Sequence, residues 1–130
     1  MTTPFWCVLI AVMVPYVLAG ISGYFKTQQF GSIDNRNPRV QAAALVGAGA
    51  RAYAAQQNAW EALAVFGFAV AVAHLSGADP GLSSLASLLF IGARVLHAVF
   101  YIADQASLRS LAFLLGFGCC LWLFGLAAVA

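Results

Sequence analysis

Seven side chains in this sequence combine polar chemistry with helical spacing. Arg51, Asn58 and Glu61 stand at i, i+7 and i+10. At about 100° per residue they share one side of a helix, within roughly 80°. Arg94, His97 and Tyr101 stand at i, i+3 and i+7 and share one side of another. Arg109 follows two turns beyond Tyr101, where a further helix begins. A guanidinium there stays charged, and the helix dipole behind it also favours an anion. Glu61 offers a carboxylate to a cation. Two other uses of the same stripes remain open. They can zip a bundle together, with Glu61 paired to Arg94 and Asn58 bonded across helices, each bond worth only about 1 kcal/mol in a membrane. Glu61, Arg94 and His97 can also serve a small proton-coupled carrier. Against the carrier, four spans are few and the two halves show no inverted repeat.

The elements that position these groups are unusually apolar. Of 130 residues, 63% are hydrophobic and 8% charged, and the mean hydropathy is +0.91. A soluble domain is about 45–50% apolar and about 25% charged. So little charge excludes a soluble enzyme and a disordered chain. The net charge of +2 is scattered, with no basic stripe, which excludes a nucleic-acid partner. Runs such as 62–73 show no alternation, so a membrane β-barrel is excluded as well. The composition predicts an all-α integral membrane protein, a single four-transmembrane-helix bundle over residues 1–130, with the lipid bilayer as its solvent.

A span needs about 20 mostly apolar residues. The predicted helices run over 4–25, 41–76, 81–103 and 107–129. Residues 1–25 hold no Lys or Arg, so the first segment is read as a retained helix rather than a signal peptide, kinked at Pro15. The second helix holds no proline, and its length of about 50 Å makes its first half project from the roughly 30 Å hydrocarbon core. Gly47 and Gly49 weaken that half but let neighbouring helices approach closely. Gly77 and Pro80 supply a turn before helix three. Lys26, Arg36, Arg39 and Arg51 lie in or near the first loop and Arg109 beside the third. The positive-inside rule therefore puts both loops in the cytoplasm. Cys7, Cys119 and Cys120 sit in apolar helices and read as packing residues. No metal site is expected. His74, near the far end of helix two, is assigned no role.

The run Arg51-Ala-Tyr-Ala-Ala-Gln56-Gln57-Asn58-Ala-Trp-Glu61, with Arg94-Val-Leu-His97-Ala-Val-Phe-Tyr101 and Leu108-Arg109-Ser110, resembles the family of membrane-associated proteins in eicosanoid and glutathione metabolism (MAPEG). Asn and Glu three apart on the second helix are that family's best-known signature. The Arg, His and Tyr spacing is similar to its prostaglandin synthase branch. The resemblance covers nearly the whole chain. It implies a homotrimer with glutathione bound between subunits at the cytoplasmic boundary, in a bacterial-type member of the inner (cell) membrane. It implies a glutathione-dependent transferase or peroxidase acting on small lipophilic substrates, or a member that kept the fold without the chemistry. Carried onto this chain, the cofactor-binding residues are Lys26, Arg51, Gln56, Asn58, Glu61, Arg94, His97, Tyr101 and Arg109. Arg109, with Tyr101, would act catalytically by holding the glutathione sulfur as a thiolate. The chain departs from the pattern at Ala54 and Gln57, where other members carry arginine.

Overall fold

The computed structural model describes residues 1–130 and is helical throughout. Its elements are α1 (Thr3–Phe30), α2 (Pro38–Ala43), α3 (Gly47–Leu75), α4 (Pro80–Ile102) and α5 (Ala106–Ala128). All except α2 are long and apolar enough to cross a membrane, which matches the four expected spans. Helix α1 packs on α3, and α4 on α5. The two central helices, α3 and α4, touch each other and both outer helices, while α1 and α5 lie on opposite sides.

The packing code is small residues rather than bulk. Ala52, Ala55, Ala59, Ala69 and Ala73 line the buried side of α3, and Ala86, Ser87 and Ala93 that of α4. Lipid tails are as apolar as a protein core, so close backbone approach and interhelical hydrogen bonds must hold such a bundle. Gly49 marks one approach: a Cβ there would come within 2.9 Å of the Phe25 Cβ on α1. Phe66 and Phe90, both buried, stack at 3.9 Å between α3 and α4. Much of the outer surface is Leu, Val, Ile and Phe.

Two boundaries differ from the sequence expectation. Helix α1 runs on to Phe30 and stops only where Gly31 turns left-handed at φ 81°, donating its N–H to the Thr27 carbonyl. It passes through Pro15 as unbroken helix. The expected continuous helix over 41–76 is instead two helices, α2 and α3. Val46 is extended and Gly47 takes φ 58°, a left-handed value that glycine tolerates. Gln29 explains why the break is stable. Its Nε2 donates to the Ala44 carbonyl at 3.0 Å, and its Oε1 accepts from the Val46 N–H at 3.0 Å. Two of the backbone groups freed by the break are thus satisfied by one amide.

The other turns follow their residues. Asp79 caps α4, accepting the Leu82 N–H at 2.7 Å, with Pro80 at the first position. At the end of α3, Gly77 is left-handed and donates to the His74 carbonyl, while the Ala78 N–H reaches the Ala73 carbonyl. The same pattern recurs after α4, where Gln105 donates to the Phe100 carbonyl and Asp104 to that of Tyr101. Here the left-handed residue is Asp104, at φ 60°.

Candidate functional site

The polar stripes of α3 and α4 meet near one end of the bundle. Arg94 is buried at 5% exposure and His97 at 3%. A lone buried guanidinium in a bilayer is costly, so its partners matter. Its Nη2 donates to Asn58 Oδ1 at 2.7 Å across the α3–α4 interface, and lies 3.3 Å from His97 Nδ1. Asn58 Nδ2 in turn donates to Glu61 Oε2 at 3.4 Å. The chain Arg94–Asn58–Glu61 is therefore a relay. The direct Glu61–Arg94 pair that the spacing allows is not formed; the amide stands between the two charges. Glu61 itself is exposed, with one carboxylate oxygen uncommitted.

Beside the relay is a pocket of about 230 Å³, lined by Glu61, Arg94, Phe113, Gly116, Phe117 and Cys120 among others. Sequence reasoning missed its α5 wall. The available signal was the spacing of Ala112, Gly116 and Cys120, small residues four apart that α5 buries. One turn toward the loop, the rings of His97 and Tyr101 meet edge-on at 5.5 Å. The Arg109 guanidinium lies over the Tyr101 ring, 4.6 Å from its centre. Such a cation–π contact fixes the cation without neutralising it. Arg109 sits in the first turn of α5, with no carboxylate near enough to pair.

The remaining expected site residues lie elsewhere. Arg51 is committed to the end of α4. Its Nε donates to the Ile102 carbonyl at 3.1 Å, and its Nη1 lies 3.9 Å from Asp104 Oδ2. A cation there satisfies a terminal carbonyl and the helix dipole. Lys26 and Gln56 line a separate groove between α1, α2 and α3, together with Arg39, Tyr53, Gln57 and Trp60. Lys26 Nζ donates to the Pro38 carbonyl at 2.9 Å and so ties α2 to α1. The loop leading to α2 is held by Asp34, whose Oδ1 accepts the N–H of Arg36 at 2.9 Å and of Asn37 at 3.0 Å. Those backbone donors, Asn37 first, keep the Asp34 carboxyl below the usual carboxylate range. His74, at the opposite end, packs edge-on against Phe5 at 5.1 Å.

Four apolar helices with a cluster of polar side chains between them define a helical membrane protein with a polar site among its helices. Curated proteins offer no match to the sequence. The family profile does: the chain belongs to the MAPEG family, which matches residues 3–129. It is accordingly a multi-pass membrane protein, in a family that includes glutathione transferases and peroxidases as well as non-catalytic members.

Proposed function

We propose that this protein is a glutathione-dependent transferase or peroxidase of the membrane boundary, acting on small lipophilic electrophiles or lipid hydroperoxides. The observation that carries the reading is the contrast between the two arginines near the pocket. Arg94 is buried and spent on Asn58, whereas Arg109 is held on the Tyr101 ring with its charge uncommitted. The residues fit the group. Glutathione offers two carboxylates, one ammonium and one thiol, and Glu61 keeps a free oxygen for the ammonium. When bound, glutathione supplies a sulfur nucleophile whose ordinary thiol pKa, about 8.5, leaves it mostly protonated at neutral pH. Arg109 and the α5 N-terminus favour negative charge on that sulfur. Tyr101 holds the guanidinium in place. Phe113 and Phe117 make the pocket's outer wall apolar, suited to a second substrate arriving sideways from lipid.

The same reading assigns a homotrimer in a bacterial inner (cell) membrane, with the loops beside Lys26 and Arg109 in the cytoplasm. The placement of the basic residues supports that side. A second reading, a non-catalytic member, draws on Ala54 and Gln57. Both lie on α3 near Glu61 and leave that surface without the arginines other members carry there.

Glutathione binding to the purified protein in detergent, followed by calorimetry and by ultraviolet thiolate absorbance, separates the two. Binding with a thiolate signal is expected. Arg109→Ala should abolish that signal and turnover while circular dichroism stays unchanged. No binding at millimolar glutathione selects the non-catalytic reading, and a thiolate signal that survives Arg109→Ala overturns the role of Arg109.

A further inference from the structure

The end of the bundle opposite the relay holds another pocket. It lies among the start of α1, the end of α3, the turn into α4 and the later part of α5, and Thr2, His74, Ser83 and Ser84 are among its lining residues. His74 stands sixteen residues beyond Asn58, about 24 Å along α3 at 1.5 Å per residue, so this pocket is separate from the relay. Its volume is about 140 Å³. An apolar protein cavity of about 150 Å³ accepts a benzene ring. Pro4, Val70, Ala73, Ala78, Pro80 and Leu123 make most of the wall apolar.

One polar atom in that wall has no partner. Ser83 is 6% exposed, and its Oγ makes no hydrogen bond. Serines in a helix can bond back to the carbonyl four residues earlier. The neighbours of Ser83 do so: Ser84 donates to the Pro80 carbonyl and Ser87 to that of Ser83, each at 2.7 Å. Ser83 leaves the Asp79 carbonyl to its own backbone N–H, and its hydroxyl stays at the pocket. A buried hydroxyl left in that state is costly, and a ligand oxygen completes it. At the rim, His74 is exposed with its ring edge-on to Phe5, and the only histidine ring that hydrogen-bonds within the chain is that of His97.

Charge is what the pocket lacks. No lysine, arginine or carboxylate lines it, and the adjoining start of α4 is already capped by Asp79. A charged ligand would lose hydration there without gaining a counter-charge. A water cluster fits poorly, because each water needs about 2–4 polar partners and the wall is mostly apolar. What fits is a neutral single ring carrying one oxygen that both donates and accepts.

We propose that this pocket binds a neutral phenol-type ring, with the Ser83 hydroxyl donating to the ring oxygen and His74 accepting its O–H. The assignment is independent of the function proposed above. It gives His74, which the sequence leaves without a role, a ligand to hold.

The test is fluorine NMR of para-fluorophenol and fluorobenzene with the purified protein in detergent, against empty micelles, at pH 8. Phenolic hydroxyls ionise near pH ~10, so the probe stays neutral. A saturable bound resonance, displaced by unlabelled phenol and not by benzoate, is expected. Each neutral hydrogen bond is worth about fivefold in affinity, so fluorobenzene, the same ring without the oxygen, should bind roughly tenfold or more weakly. Ser83→Ala should shrink that preference about fivefold. It should leave fluorobenzene affinity and circular dichroism unchanged, since the lost hydroxyl has no partner in the chain. His74→Phe keeps an aromatic edge for Phe5 and should shrink the preference by a similar factor. No saturable signal above that of empty micelles, or displacement by benzoate as readily as by phenol, overturns the proposal. A preference for the oxygen that survives Ser83→Ala overturns the assignment of Ser83, and one that survives His74→Phe overturns that of His74.

Discussion

Removing the middle of the relay is the most informative perturbation of the fold. Asn58→Ala deletes the Oδ1 that accepts from Arg94 at 2.7 Å and the Nδ2 that reaches Glu61. Arg94 is 5% exposed, so losing the acceptor leaves its guanidinium poorly solvated. A hydrogen bond to a charged group is worth about 1.5–3 kcal/mol, and breaking a buried ion pair costs about 3–5 kcal/mol. Interhelical bonds in bilayers average only about 0.6 kcal/mol, because the unfolded helices find other partners. His97 Nδ1, at 3.3 Å from Nη2, is a ready substitute acceptor. These limits bracket an expected loss of about 2 kcal/mol, roughly 30-fold in the folded-to-unfolded ratio. The assay is equilibrium unfolding in mixed micelles, read by circular dichroism. Adding Arg94→Met to Asn58→Ala removes the stranded charge and should recover all but about 1 kcal/mol. A loss below about 0.5 kcal/mol for Asn58→Ala, or a double variant less stable than the single one, refutes the claim that Asn58 compensates a buried guanidinium.

Two further predictions concern the turns. Asp104→Gly exchanges a left-handed aspartate for the residue that prefers φ 60° and gives up a contact with Arg51 at 3.9 Å whose carboxylate is 74% exposed. Such a pair contributes little, so the variant should gain about 0.5 kcal/mol, and a clear loss of stability would falsify that weighing. Asp34 is an acid whose folded pKa is depressed, so its ordering of the first loop is present above the unfolded carboxylate value, about 3.9, and is lost as pH falls through the lower folded value. Amide exchange at Arg36 and Asn37 should therefore be flat from pH 5 to 8 after correction for intrinsic rates, and should rise at neutral pH in Asp34→Ala; unchanged exchange in that variant contradicts the capping role.

Hydropathy alone made the four spans legible, because bilayer thickness imposes a length that composition reveals. Pro80 and Gly77 made the turn between α3 and α4 legible for the same local reasons that hold in any helix pair. The stripe of Asn58, Glu61, Arg94 and His97 was legible as faces, and the structure brings those faces together. What stayed hidden depends on side chains distant in sequence. The break at Ala44–Val46 is held by Gln29, fifteen residues away from Ala44, which no local propensity encodes. Arg51 shares the face of Asn58 by periodicity, yet its long side chain reaches the α4 carboxyl end instead.

The few charges in this chain show where its chemistry can be. Of four acids, Asp34 and Asp79 accept backbone N–H groups, and Asp104 faces Arg51 at a helix end. Glu61 alone is bound only by an amide side chain, at the mouth of a pocket. The cations divide in the same way. Lys26, Arg51 and Arg94 are tied to a carbonyl or an amide, whereas Arg36, Arg39 and Arg109 have no ion pair or side-chain hydrogen bond. A membrane protein that commits most of its charges to carbonyls, backbone N–H groups, an amide or an ion pair and leaves Glu61, Arg39 and Arg109 largely free retains unspent attraction for a ligand carrying both signs. A purely structural zipper has no use for that remainder, because it would be most stable with those charges paired or replaced by apolar residues. On this argument an Arg39→Leu, Glu61→Leu, Arg109→Leu triple variant should be at least as stable as wild type and bind no such ligand. A marked loss of stability in that variant would return these residues to the bundle and remove the argument for a site.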